Sequence, residues 1–146
     1  MLAYDPITNP LNQIEWAFGA LECIHIASFA VTVGSITMVD FRLMGLGLKS
    51  LRPSELLRTT TLWTLGGLTT AITSGLLLFS TDPERYSRNE VFRLKLICLV
   101  VAIVYNYTVH RMVAQRGSPG AGIIAGAVSI LLWVSVIFGG LFYAFT

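Results

Sequence analysis

The stretch TTTLWTLGGLTTAITSGLLLFS, residues 59–80, carries no charged side chain, and neither does GSPGAGIIAGAVSILLWVSVIFGGLFYAFT, residues 117–146. A helix rises about 1.5 Å per residue, so roughly 20 residues cross the hydrocarbon of a bilayer while the backbone satisfies its own hydrogen bonds. Each stretch is long enough to be one transmembrane helix. Two less pure segments complete the pattern: residues 14–42 contain Glu15, Glu22, His25, Asp40 and Arg42, and residues 90–114 contain Arg93, Lys95, His110 and Arg111. With spans at 14–42, 55–80, 90–114 and 119–145, the chain reads as an all-α integral membrane four-helix bundle. It is one transmembrane domain over residues 1–146, up-down-up-down with short loops.

Composition agrees, since 54% of the residues are hydrophobic and only 12% charged, against about 25% charged in an average soluble domain. The expected partner is the lipid bilayer. A net charge of +2 without a basic tail or aromatic-basic stripe excludes nucleic-acid binding. No Lys or Arg precedes Arg42, so the N-terminal segment with Pro6 and Pro10 is expected to be an irregular lead-in rather than a signal peptide with a basic n-region.

Helix punctuation follows the same division. Ser87-Arg88-Asn89-Glu90 has the spacing of a capping box for span three, Ser118-Pro119 that of an N-cap with proline in the first turn of span four, and Pro53 belongs in the first turn of span two. Ser80-Thr81-Asp82-Pro83 ends span two, because the residue before proline is steered away from helical angles. Arg42, Lys49, Arg52, Arg58, Arg111 and Arg116 flank one side of the bundle. Arg85, Arg88, Arg93 and Lys95 flank the other, together with Asp5, Glu15, Asp82, Glu84 and Glu90. The positive-inside rule then places both termini outside, in the periplasm if the membrane is a bacterial inner one.

Spans one and three run in the same direction. His25 to Asp40 and Lys95 to His110 are both fifteen residues apart, about 22 Å of helix. Levelling Lys95 with His25 therefore levels His110 with Asp40. The result is an outer polar layer of Glu22, His25, Arg93 and Lys95 and an inner one of Asp40, Arg42, Asn106, His110 and Arg111. Ionisable groups at membrane depth cost roughly 2.5 kcal/mol or more each unless paired or hydrated, so such layers mark function unless they are interhelical ion pairs or snorkelling ends.

Glu22 and His25 share a helix face at i, i+3, a spacing that serves a metal, and imidazole also serves as a haem ligand or proton relay. Glu22 can equally accept a hydrogen bond from His25 or pair with Arg93. Asn106 and His110 share a face at i, i+4, so the amide can orient the imidazole. His25 and His110 are the candidate metal ligands, but on this alignment they lie too far apart to share one iron. Gly122-x-x-x-Gly126, Gly66-Gly67, Gly139-Gly140 and the run Thr69, Thr70, Thr73, Ser74, Gly75 permit close helix approach, within the chain or in a homo-oligomer. Trp16, Trp63, Tyr86, Tyr107 and Tyr143 read as interfacial anchors, and Cys23 and Cys98 as free thiols.

The pattern of Glu22-Cys23-Ile24-His25, Val33-Gly34, Val39-Asp40-Phe41-Arg42-Leu43-Met44-Gly45, Thr73-Ser74-Gly75, Val91-Phe92-Arg93-Leu94-Lys95 and His110 resembles a family of small uncharacterised four-helix bacterial inner-membrane proteins. It is more distantly similar to the copper-resistance D-type and b-type cytochrome membrane proteins, although two histidines at unequal depth do not reproduce paired haem ligands. The first resemblance implies fold and location and no reaction. Three functions stay open: a redox protein holding haem b or a transition metal at His25, with Glu22, Arg93 and Lys95 beside it; a non-catalytic accessory subunit of a larger membrane complex; and proton, ion or metal transport.

Overall fold

A computed structural model describes residues 6–47, 49–143 and 145; Asp5, counted above among the flanking acids, lies outside them. Four helices are long and apolar enough to cross a membrane: α1, Ala17–Leu43; α2, Pro53–Thr81; α3, Glu90–Arg116; and α4, Pro119–Tyr143. The chain is a multi-pass, all-helical membrane protein.

Local chemistry sets the ends. α1 stops where Gly45 takes a φ of 76°, a left-handed angle that glycine adopts without Cβ strain. Gly45 N–H then donates to Arg42 O and Leu46 N–H to Phe41 O at 2.9 Å, the paired bonds of a Schellman cap. Pro53 opens α2, and the Glu55 carboxylate accepts from Arg52 N–H at 3.1 Å. The proposed Ser87–Glu90 capping box at the start of α3 does not form. Asn89 caps α3 instead, accepting from Phe92 N–H at 3.0 Å, while Ser87 Oγ donates to Glu84 O inside the preceding short helix, Pro83–Arg88. An Asx side chain directly before a helix reaches its free amides with one rotamer, and that leaves the serine two residues upstream redundant.

α1 is the central element, packed on α2 along one side and on α4 along the other, and α4 packs in turn on α3. Glycines permit this. A Cβ at Gly67 of α2 would stand 2.8 Å from Ser28 O of α1, one at Gly126 of α4 would stand 2.9 Å from Asp40 O, and one at Gly122 would stand 2.9 Å from Leu43 O. Between these contacts Ile36, Leu68, Ala102, Trp133 and Val136 form a core to which all four helices contribute. The hydroxyls of Thr60, Thr64, Thr70, Thr73 and Ser74 return to carbonyls four residues back, at 2.7 to 3.0 Å. α2 thus carries a polar sequence through lipid with these hydroxyls bonded within the helix.

The end of the bundle that carries the chain termini is fastened twice. Asn9 Nδ2 donates to Ser80 O at 2.7 Å and Asn12 Nδ2 to Thr81 O at 2.9 Å, so the lead-in clasps the end of α2. Phe79, Tyr86, Phe92 and Tyr143 form an aromatic cluster there, with Tyr86 and Tyr143 stacked at 5.0 Å. Tyr86 and Tyr143 thus sit at a bundle end as expected of anchors. Trp63, 67% exposed, lies ten residues into α2, and Tyr107 turns inward.

Two outcomes follow. Gly126→Ala and Gly67→Ala are expected to lower stability by about 1–3 kcal/mol, the usual effect of overpacking, because the obstacle is backbone. Gly66→Ala, whose Cβ meets nothing within 4 Å, should stay within about 0.5 kcal/mol. Unfolding titrations in mixed micelles check the contrast. Tyr86, outside the spans, has its phenol pushed up to about 12 by burial and then by the neighbouring Tyr143. The folded state therefore disfavours its ionisation, and this contribution to stability is complete below about pH 10, the unfolded value, and lost as pH rises through the folded one. Absorbance titration of wild type against Tyr86→Phe reads it as a late-ionising phenol.

Candidate functional site

Among the described residues the two sequence-derived layers behave differently. At the terminal end His25, half-buried, has its Nδ1 2.9 Å from Ala71 O and 3.0 Å from Ser74 Oγ. A carbonyl can only accept, so Nδ1 carries a proton, and in the neutral ring Nε2 keeps its lone pair. Lys95 and Glu22 lie close enough to act on His25 electrostatically, but Glu22 is exposed. Arg93 pairs with Glu90, one turn away on its own helix at 3.8 Å, and not with Glu22. The Lys95 stem lies over Gly139 and Gly140, where a Cβ at Gly139 would stand 3.0 Å from Lys95 Cβ. That glycine pair serves a packing contact between α3 and α4.

At the opposite end the geometry is tighter. His110 Nε2 lies 2.6 Å from Asp40 Oδ1, and Ser129 Oγ donates to Asp40 Oδ2 at 3.0 Å. Asp40 and His110 are 0% exposed and Ser129 is 1% exposed. The carboxyl group of α1 is thus held by one group from α3 and one from α4. Arg42 does not join it; its Nε donates to Leu51 O, bracing the loop that follows α1. Asn106 does not orient His110 either, since Nδ2 has no hydrogen-bond partner and the ring is oriented by Asp40.

α3 changes pitch here. Residues Asn106–His110 form a π turn, with Arg111 N–H reaching back five residues to Asn106 O. Such turns insert one residue into an α-helix and recur at functional sites. Asn106, Tyr107, His110 and Arg111 line a cavity of about 20 Å³, completed by Ile36 and Val39 of α1 and by Thr60, Thr61 and Thr64 of α2. Three buried polar atoms on this turn, Asn106 Nδ2, Tyr107 Oη and His110 Nδ1, have no partner among the described residues. Tyr107 and Ser129 escape sequence reasoning. Tyr107 looked like an interfacial anchor, and Ser129 sits in a charge-free span where nothing marks it. The one available signal was depth: counting inward from the helix ends puts Ser129 a few turns into α4.

The histidines have separate surroundings. Asp40 lies fifteen residues along α1 from His25, about 22 Å, and His110 is bonded to Asp40, so one iron cannot bridge them. Among the described residues no three His, Cys, Asp or Glu side chains gather as a metal cluster, and Cys23 and Cys98 are free thiols. The cavity beside His110 has room for about one water molecule, far less than a haem requires.

The chain belongs to DUF6644, a family of unknown function, which matches residues 7–146. No curated protein and no solved structure matches it.

If Asp40 and His110 form an ion pair, removing one partner typically costs about 3–5 kcal/mol, against about 1 kcal/mol for a single neutral hydrogen bond. His110→Leu is therefore expected to destabilise the protein several times more than Ser129→Ala. Micelle unfolding titrations check the ranking, and equal effects would mean the Asp40–His110 contact carries no charge.

Proposed function

We propose that this membrane protein works as an intramembrane acid–base centre, in which the Asp40–His110 pair takes up and releases a proton near the end of the bundle marked by Arg42 and Arg111. The observation that carries the proposal is the His110 ring. It is wholly buried and tied through Nε2 to a buried carboxyl group, yet its Nδ1 has no hydrogen-bond partner among the described residues, and the residue lines a small cavity. A histidine retained only for helix registry is best served with both nitrogens paired inside the protein. Imidazole is also the side chain whose ordinary titration falls near neutrality, so modest changes around it move a proton. On the positive-inside bias this end faces the cytoplasm and both termini face the periplasm of a bacterial inner membrane.

The experiment is an infrared pH titration of the protein in lipid, followed at the carboxyl and imidazole bands. A protonation step between about pH 5 and 8, absent from both Asp40→Asn and His110→Gln, is the expected result. A pair whose bands stay constant over that range would overturn the reading and leave Asp40–His110 as a fastener of helix registry, the role of an accessory subunit.

One observation favours a second reading at the other layer. With Nδ1 of His25 donating to Ala71 O, Nε2 is the basic nitrogen, the form in which imidazole binds haem iron or a transition metal and in which a carbonyl partner fixes ring orientation. Glu22 and Lys95 stand near it. A Soret band in detergent-purified protein, lost in His25→Ala, supports the haem version; a colourless, iron-free preparation overturns it.

A further inference from the structure

We infer that the π turn of α3 is a binding site for one hydroxyl-type oxygen, held by His110 Nδ1, Asn106 Nδ2 and Tyr107 Oη. Four buried side-chain polar atoms have no partner among the described residues. Three of them belong to this five-residue turn, and their side chains line a single cavity. The fourth, Trp133 Nε1, belongs to a ring packed on Phe29 at 5.9 Å in the core. A buried donor or acceptor left without a partner costs about 1–3 kcal/mol, so three at one place call for a common guest.

The chemistry of the three atoms selects that guest. Asn106 Nδ2 only donates, so the guest must accept, which excludes a cation. His110 Nδ1 accepts when the shared proton sits between Nε2 and Asp40 and the ring is neutral, and it donates when the ring is charged or when Asp40 holds the proton. A carbonyl or ether oxygen satisfies only the donating forms. A hydroxyl or water oxygen satisfies all of them, because it can turn a proton toward Nδ1 or a lone pair toward it, and Tyr107 Oη adapts in the same way. The threonines on the facing wall do not compete as donors: Thr60, Thr61 and Thr64 give their protons to Leu56 O, Leu57 O and Thr60 O.

Size indicates the source. The cavity measures about 20 Å³, and a buried water requires about 10–15 Å³ with two to four polar partners. One water fits that volume, and the three unpartnered polar atoms belong to residues that line it. The other source of the same chemistry is the hydroxyl of a lipid-soluble compound reaching in from the bilayer. Arg111 lines the same cavity, five residues from the end of α3 at Arg116. The site stands on these contacts whether or not the pair exchanges its proton.

The test uses the full chain in lipid with ¹⁵N-labelled histidine and magic-angle-spinning NMR, in which magnetisation starts on water and is read at His110 Nδ1. Direct transfer in wild type is expected, reduced several-fold in Asn106→Leu and Tyr107→Phe. No transfer from water, together with one equivalent of a hydroxyl-bearing lipid in the solvent extract of the purified protein, supports the site and assigns its oxygen to a lipid. No transfer and no such compound overturns it. The wild-type measurement needs no variant to fold, and because it does not depend on titration of the pair, the hydroxyl site and the acid–base reading can fail separately.

Discussion

A carboxyl group carried into a bilayer has to find hydrogen-bond donors inside the protein, because water is not there to supply them. Asp40 is that group here, and the arrangement of three helices follows from satisfying it. His110 of α3 meets one oxygen and Ser129 of α4 the other, so α1, α3 and α4 are locked in depth and in rotation at one level. The backbone makes room at the same place. Gly126 lies against Asp40 O itself, where a Cβ would stand at 2.9 Å, and that close approach of α4 lets so short a side chain as serine reach the carboxyl group.

α2 is held differently. Its hydroxyls are spent on its own carbonyls, and its grip on α1 comes from the approach at Gly67 and from His25, whose ring spans to Ala71 and Ser74. The two histidines therefore have opposite settings. His25 reaches a backbone carbonyl, a fixed acceptor that permits one tautomer. His110 reaches a carboxyl group that can hold or yield a proton, and its second nitrogen has no partner among the described residues. The His25 contact thus joins α1 to α2, and the His110 contact joins α3 to α1.

The two ends of the bundle divide the work of holding it together. Aromatic stacking among Phe79, Tyr86, Phe92 and Tyr143 and the amide clasps of Asn9 and Asn12 close the terminal end. The opposite end relies on the polar network and on the loop that Arg42 braces. A π turn at that polar end, in a helix otherwise free of proline and glycine, coincides with the three polar atoms that have no partner among the described residues.

The number of spans and the proline-marked helix boundaries were legible in the sequence, because they depend on composition and on short-range chemistry: where charge stops, and where a proline meets free amides. Even the common level of Asp40 and His110 could be counted, since helical rise is the same in any sequence. Rotation about the helix axis could not. Whether Asn106 or Asp40 would orient His110, whether Tyr107 would face lipid or cavity, and whether Ser129 or another small residue of α4 would reach the carboxyl group all depend on how far the π turn rotates α3 and how closely the glycines let α4 approach. Those are consequences of packing between segments distant in sequence, and only the assembled bundle decides them.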